Sequence, residues 1–218
     1  MAHLPVEQLD EMFAHFVRDF RRKHRGEMPW NNYTAYEIRI IGALVHLGRR
    51  EDAAELLEFF LTDRRPAAWN QWPEITWRDP RSPGHIGDVP HTWIGAEYVL
   101  ALRTMLAYER VAEDALVLAA GVPARWLGGG SEVAVTGLPT HYGVLDLGLR
   151  RDGDALRLTL SGTVEVPAGG IVLRPPLDGP VGAVEVNGRR TGRFDAESAT
   201  ITECPAEVVL RPKEHASR

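Results

Sequence analysis

The sequence predicts an α+β protein of two domains, with antiparallel α-hairpins over residues 1–110 and an antiparallel β-sandwich over residues 111–218. In the first half, apolar residues recur at the three- and four-residue spacing of a helix. From about residue 113 the apolar period falls to two, which is typical of strands with one buried face. A chain of 218 residues is long enough for two modest domains.

Four helices are predicted in the first half, over residues 6–24, 33–47, 50–62 and 91–108. The first and third are amphipathic, with their apolar side chains on one face. The second and fourth are apolar over most of their length, which indicates more buried helices. Gly48 follows the second helix and is its predicted stop signal.

The connections between these helices alternate in length. A longer link containing Gly26, Pro29 and Trp30 precedes the second helix, a short turn precedes the third, and a loop over residues 64–91 precedes the fourth. Antiparallel neighbours would bring both longer links to the same end of the helices. Long loops without regular structure are usually functional or disordered, and the tryptophans and prolines here argue against disorder. We therefore expect the functional site at this end.

The second half is predicted to contain about seven or eight short strands, as in a sandwich. Gly, Pro, Asp and Asn residues bound its apolar segments, which cover residues 113–121, 132–138, 143–162, 170–176, 182–194 and 206–212. Asp152-Gly153 and Asn187-Gly188 are strong signals for hairpin turns.

Composition excludes several classes of function. The net charge is -5, and no basic run is long enough to follow a phosphate backbone, so we expect no nucleic-acid partner. Cys204 is the only cysteine, which excludes a disulfide framework and a multi-cysteine zinc site. The spacing of His85 and His91 matches no standard zinc motif, so neither a metal nor another cofactor is expected.

The expected location is the cytoplasm for the chain as given. The N-terminus has no apolar signal-peptide region, and no apolar run approaches the length of a membrane span, so no membrane partner is expected. If the chain is a piece of a longer secreted protein, its location stays open.

The chain resembles the last part of a bacterial glycoside hydrolase of the six-hairpin, (α/α)6-toroid type. The segments of the first half that carry this resemblance are YTAYEIRIIGALVHLGRREDAAELLEFF, WNQWPE and GDVPHTWIGAEYVLALRTMLAYE. The segments LVLAAGVPARWL and VEVNGRRTGRF resemble the β-domain that follows the toroid. The chain departs from the family because its four predicted helices form only about two hairpins. The resemblance therefore implies a partial toroid, either the C-terminal third of a longer enzyme or a natural remnant of one.

A partial toroid implies a partner as well as a substrate. The flanks of its hairpins would expose apolar surface, which usually marks an interface. We therefore expect self-association or an upstream toroid portion. Carbohydrate is the expected ligand, because sugar rings stack on flat aromatic side chains while their hydroxyls bond to polar groups.

The resemblance places the substrate cleft where the inner helices begin, at the end that holds the two longer links. Catalysis of the inverting type would need two carboxyl groups, and Glu74, Asp79 and Asp88 are the candidates. Glu74 is the first choice for the general acid, because a tryptophan-lined pocket would desolvate it. The predicted substrate-binding residues are Trp30, Asn31, Asn32, Tyr33, Trp69, Asn70, Gln71, Trp72, Trp77, Arg78, His91 and Trp93.

Other interpretations of these residues stay open. A tryptophan-rich loop can simply plug the end of a helical barrel, and Glu74 can be a structural charge near Arg78. Asp88 can be a turn or cap residue before the fourth helix. The chain can thus be a hydrolase fragment, a non-catalytic carbohydrate-binding or assembly module, or a remnant that only folds. The second carboxyl of an active enzyme could also lie in the missing hairpins.

Overall fold

A computed structural model describes residues 5–213 of the chain. The chain divides into two compact units, and the division falls between Thr104 and Met105. Helices predominate in the first unit and strands in the second, so the protein is a mixed α+β protein with antiparallel sheets, as predicted. No helix among the described residues has both the length and the apolar character that crossing a membrane requires.

The helices of the first unit largely follow the predicted spans. They are α1 (Val6–His24), α2 (Arg39–His46), α3 (Arg50–Thr62) and α4 (Thr92–Leu106). The spans of α1 and α3 are confirmed at both ends. Between α1 and α3, Arg21 Nη2 lies 2.6 Å from Asp52 Oδ1, and the same guanidinium pairs with Glu55.

The prediction of the second helix is wrong for its first residues. Strand β1 (Asn32–Thr34) and a 3-10 turn (Ala35–Ile38) precede α2. Strand β1 pairs antiparallel with β2 (Ile75–Trp77), a strand inside the loop that was predicted to lack regular structure. The local helical pattern is overruled because the backbone of β1 finds a hydrogen-bonding partner about forty residues further along the chain.

The β1–β2 pairing has a consequence for the site. It places Asn32 opposite Trp77 and Thr34 opposite Ile75, so the two long links lie side by side. Their meeting was predicted from the alternating lengths of the connections. A 3-10 turn (Ala67–Trp69) adds further order to the second link.

The predicted fourth helix also ends too late. Helix α4 stops at Leu106, and β3 (Ala107–Arg110) follows directly. Strand β3 pairs antiparallel with β4 (Ala115–Leu118), with Tyr108 opposite Val117. Ala107 and Tyr108 are both buried, so an apolar run that resembles helix continues as a buried strand.

The second unit is built from two sheets. Its remaining strands are β5 (Glu132–Thr140), β6 (Gly143–Asp152), β7 (Ala155–Gly162), β8 (Ile171–Leu173), β9 (Val181–Val186), β10 (Arg189–Thr191), β11 (Ala199–Ile201) and β12 (Ala206–Pro212). The order of one sheet is β10-β9-β12-β7-β6-β5, and that of the other is β11-β8-β4-β3. The pair β4–β8 is parallel, whereas the sequence predicted antiparallel pairing throughout. A parallel pair requires a crossover, which is supplied by β5, β6 and β7 in the other sheet.

Both predicted hairpin turns are present. Asn187 and Gly188 join β9 to β10 with φ angles of 48° and 75°, the left-handed conformation that a two-residue turn of this kind requires. Gly153 has a φ of 63° between β6 and β7. Along β7, Leu156, Leu158 and Leu160 are buried, while the residues between them are more exposed. These leucines join aliphatic side chains from the other sheet in one core.

Candidate functional site

Asp63, just after α3, ties the two long links of the first unit together. The Tyr33 hydroxyl donates a hydrogen bond of 2.6 Å to its carboxylate, and the Arg78 guanidinium donates one of 3.1 Å. Arg65 donates a third bond, of 2.9 Å, to the other carboxylate oxygen. Burial and the neighbouring carboxylate raise the pKa of the Tyr33 phenol, so Tyr33 remains a neutral donor. The carboxylate therefore fixes groups from both links.

Trp30 packs into an aromatic cluster beneath the first link. Its ring stacks on Phe59 with 5.5 Å between centroids, and it meets Phe20 edge-on at 5.8 Å. The Arg78 guanidinium lies 4.4 Å from the Trp30 ring centroid, a cation–π geometry. Much of the Trp30 ring is thus used in packing.

Two of the predicted substrate-binding aromatics are core residues. Trp72 is 4% exposed, and its indole N–H donates a 2.8 Å hydrogen bond to the Phe60 carbonyl. Its ring packs against Tyr98. Tyr33 is also 4% exposed and points to Asp63. The sequence predicted that both rings face a ligand, but in the structure Trp72 holds the second link to α3 and Tyr33 holds the first link to Asp63.

Trp69 and Trp77 instead line an open cavity of about 480 Å³, which we call the aromatic cavity. Its walls are formed by Arg65, Pro66, Trp69, Pro73, Ile75, Thr76, Trp77, Asp79, Pro80, Ser82, Ile86 and Val89. Trp69 is 59% exposed. All of these residues come from the second link and β2, so one continuous segment of chain forms the site.

The Trp77 indole is held rigidly in the cavity wall. Its N–H donates a 2.9 Å hydrogen bond to the His85 carbonyl. Gly84 lies directly against the indole, because a Cβ built there would be 2.1 Å from the ring. Only glycine fits this approach, so the loop closes over one part of Trp77 and fixes its orientation.

Two charged groups complement the aromatic walls. Asp79 Oδ1 accepts a 2.9 Å hydrogen bond from the Arg81 backbone N–H, and the Asp79 side chain is 59% exposed. The Arg65 guanidinium bonds to Asp63 and to the Trp77 carbonyl, which fixes its position at the cavity. The cavity therefore places a carboxylate and a guanidinium beside two indoles.

The three predicted catalytic carboxyl groups are not gathered in this cavity. Only Asp79 lines it. Glu74 is half-buried. Its side chain packs against Gly87, since a Cβ built on Gly87 would lie 2.4 Å from Glu74 Oε2. The Asp88 side chain is 89% exposed, and its Oδ2 is 4.0 Å from His91 Nδ1. The tryptophan-lined pocket expected for Glu74 is not formed by Trp72, which is in the core.

His91 and Trp93 belong to a separate cluster around Tyr36. The Tyr36 hydroxyl lies 2.6 Å from His91 Nε2, and the Trp93 ring meets Tyr36 edge-on at 6.2 Å. Arg39 lies over the Tyr36 ring and forms a 2.9 Å ion pair with Glu97. The sequence predicted no binding role for Tyr36, Arg39 or Glu97, because this cluster depends on contacts between residues that are far apart in the chain.

Of the remaining predicted binding residues, Asn31, Asn32 and Gln71 contribute through their backbone, and the Asn70 side-chain oxygen accepts a hydrogen bond from the Arg64 guanidinium. Asn31 and Asn32 are exposed, and the Asn31 carbonyl accepts a hydrogen bond from the Arg78 N–H at 2.9 Å. Asn70 has a φ of 53°, in the left-handed region that asparagine tolerates. The Gln71 carbonyl accepts a 2.9 Å hydrogen bond from the Arg65 N–H. These four residues shape the links around the site.

A second cavity of the first unit has a volume of about 280 Å³, and we call it the α1 cavity. Its lining consists of Met12, His15, Phe16, Asp19, Phe20, Lys23, Trp30 and Glu37. Trp30, which the sequence grouped with the other tryptophans, lines this cavity and not the aromatic one. The sequence did not reveal this site, although the exposed apolar residue Met12 on α1 is consistent with it.

Among residues 5–213 no group of three or more His, Cys, Asp or Glu side chains is arranged to hold a metal ion. Comparisons with protein-family models, curated proteins and solved structures gave no match. The likeness to six-hairpin glycosidases therefore stays a resemblance of sequence segments.

Proposed function

We propose that the chain binds carbohydrate at the aromatic cavity, with Trp69 and Trp77 as the stacking surfaces. The observation that carries this proposal is the cavity of about 480 Å³ in which two indoles adjoin a carboxylate and a guanidinium. Sugar rings present apolar C–H faces to indoles and hydroxyl groups to charged side chains. Binding sites of this kind combine mostly apolar walls with a few polar groups.

The exposure of Trp69 supports this choice. An indole that is 59% exposed keeps apolar surface in water, and a ligand that covers it gains about 25 cal/mol for each Å² removed from water. Trp77 is fixed by His85 and Gly84, so it loses little freedom when a ligand binds. Trp77 is thus a pre-formed stacking surface, and Trp69 is one that a ligand can reach from solvent.

Binding without hydrolysis is the preferred form of the proposal. Glycoside hydrolysis of the inverting type needs two carboxyl groups on either side of the scissile bond. Asp79 lines the cavity, but Glu74 lies against Gly87 and Asp88 extends into solvent. A hydrolase built on this surface would need a carboxyl group from another portion of a toroid.

A sugar-binding panel tests the proposal. Titration with oligosaccharides of different composition and linkage, followed by calorimetry, should give saturable binding for at least one of them. Trp69→Ala should weaken that binding about tenfold or more, since it removes a stacking surface. Trp93→Ala is the matched control, because Trp93 is 63% exposed and lies outside the cavity, and it should leave affinity unchanged. Equal losses in both variants, or no binding at all, would contradict the proposal.

Turnover of aryl glycosides separates binding from hydrolysis. The binding proposal predicts no turnover by the purified chain. Turnover that is lost in Glu74→Gln would favour the hydrolase interpretation over ours. Turnover that is lost in Asp79→Asn instead would place the chemistry in the aromatic cavity.

We further propose that the first unit is a partial (α/α)6 toroid, that the second is a β-sandwich, and that the first requires a second copy or an upstream toroid portion. The adjacent long links support the toroid, and the aliphatic core shared by the two sheets supports the sandwich. On α4, Val99 and Leu100 are more than half exposed, and these apolar side chains support a face that is covered by another chain or domain. Light scattering should show self-association. A monodisperse monomer that binds little hydrophobic dye would contradict it.

A further inference from the structure

The α1 cavity contains a carboxyl group that forms no ion pair or hydrogen bond with the side chains of residues 5–213. Glu37 is half-buried in the 3-10 turn before α2 and lines the cavity. Burial raises its pKa, and in the part of the chain that the structure describes only the charge of Lys23 acts against this shift. A desolvated carboxylate is costly unless an opposite charge or a hydrogen bond compensates it. A ligand in the cavity could supply that compensation.

The lining of the α1 cavity also contains aromatic side chains. Phe16 and Phe20 project from α1, and Trp30 comes from the first link. Aromatic rings attract cations through the negative charge density of their faces, and alkyl groups gain by leaving water. A carboxylate beside aromatic rings is the combination that recognises organic ammonium groups.

The other charges around the cavity limit where such a ligand can sit. Asp19 is already engaged, with His15 at 3.6 Å and Arg22 at 3.7 Å. Lys23 contributes a positive charge, although its long side chain can carry the ammonium group outward into water. Arg78 lies over the Trp30 ring, so a ligand must approach the rest of the aromatic wall. Of the two acidic side chains that line the cavity among the described residues, Glu37 is therefore the one available to a ligand.

We propose that the α1 cavity binds a small organic ammonium ion, whose charge pairs with Glu37 while its alkyl groups contact Phe16 and Trp30. The volume of about 280 Å³ suits a ligand of a few carbon atoms around one nitrogen. This site is independent of the carbohydrate proposal, because the two cavities share no residue.

Choline is a suitable probe, and its control is the uncharged alcohol in which a carbon atom replaces the nitrogen. The two molecules have nearly the same shape, so a difference in affinity reports on charge. Calorimetric titration of the full chain should show saturable binding of choline at least about tenfold tighter than that of the alcohol. Equal binding of both, or no saturable binding of choline, would overturn the proposal without the use of any variant.

Three substitutions test the roles of the charges. Glu37→Gln keeps the shape of the side chain and should weaken choline binding about tenfold. Lys23→Met removes a repelling charge and should strengthen choline binding severalfold, an effect opposite in sign that loss of folding could not produce. Glu7→Gln, on the exposed start of α1, is the matched control and should change nothing. Weaker choline binding in Lys23→Met, or unchanged choline binding in Glu37→Gln, would contradict the proposal.

The pH dependence follows from the same pairing. Choline binds to the ionised form of Glu37, so its affinity should rise as pH increases through the raised pKa of this carboxyl and fall below it. His15, Asp19 and Lys23 also line the cavity. The Glu37→Gln variant removes the contribution of Glu37 alone, so its choline affinity should lose the rise through this pH window. An identical pH profile in the variant and the natural protein would overturn the role of Glu37.

Discussion

The second unit and the long links of the first unit are each stabilised by a different kind of contact. The second unit has an aliphatic core in which leucines such as Leu149, Leu156 and Leu158 alternate with outward residues along the strands. The long links of the first unit are held by directional contacts, of which those of Asp63 with Tyr33 and two arginines are the centre.

This difference explains why the candidate sites lie in the first unit. Aliphatic burial is non-directional and leaves few polar groups free to meet a ligand. Rings and charges that hold irregular backbone can also line cavities, as Trp77 and Trp30 do. Four substitutions, in order of decreasing effect, test whether the two kinds of contact differ as described.

The largest effect is expected in the aliphatic core. Leu149→Ala should lower the free energy of unfolding of the second unit by about 3 kcal/mol, because it removes buried methyl groups and leaves a cavity. Urea denaturation followed by far-UV circular dichroism measures this change. Val144→Ala in the same strand is the control, and since Val144 is 42% exposed its loss should stay below about 1 kcal/mol.

Asp63 should be the most sensitive polar position of the first unit. Asp63→Asn keeps the size of the side chain but removes the charge that Arg65 and Arg78 share, so the unit should lose about 2 kcal/mol. Tryptophan fluorescence during urea denaturation reports the loss, because Trp30 lies against Arg78. Asp79→Asn removes an exposed charge and should cost at most about 0.5 kcal/mol. Equal losses would mean that Asp63 is not the centre of the network.

A smaller effect distinguishes the buried tryptophan from the exposed one in the same loop. Trp72→Phe should destabilise the first unit by about 1.5 kcal/mol, because the Phe60 carbonyl loses its donor in the interior. Trp69→Phe should have almost no effect on stability, since the Trp69 ring is exposed. Denaturation midpoints of the two variants, compared directly, would show no difference if both indoles were surface groups.

The smallest effect concerns Glu37 and depends on pH. Because its pKa is raised in the folded chain, the folded state binds more protons than the unfolded state between the ordinary value of 4.5 and the raised value. Glu37 therefore makes stability fall as pH rises through this window. Glu37→Gln should leave stability unchanged below the window and raise it slightly at neutral pH. Thermal melts across the pH range measure this, and a variant that is less stable at neutral pH would contradict the burial of an unpaired charge.

Local patterns in the sequence were sufficient to predict several elements. The spacing of apolar residues predicted both ends of α1 and α3, and Asn187-Gly188 predicted its hairpin. These features depend on residues close together in the chain, for which periodicity and turn chemistry are reliable guides. The meeting of the two long links was also predictable, because it follows from the antiparallel order of neighbouring helices.

The division of the aromatic residues was not predictable. Trp69, Trp72 and Trp77 stand within nine residues, yet one is in the core and two line a cavity. The positions of Trp72 and Trp77 depend on contacts with Phe60, Gly84 and His85, which lie outside this nine-residue stretch. The grouping of Trp30 with Glu37 in the α1 cavity depends in the same way on how α1 packs.

The sequence by itself determined the α+β class, the spans of α1 and α3, the hairpin turns and the placement of an aromatic-rich loop beside the first link. Tertiary structure alone decided that β1 pairs with β2, that β4 pairs in parallel with β8, and which tryptophans remain accessible. The physical reason is the range of the interactions. Helical periodicity and turn conformation act over a few residues, whereas strand pairing, burial and the contacts of Asp63 join segments that only the folded chain brings together.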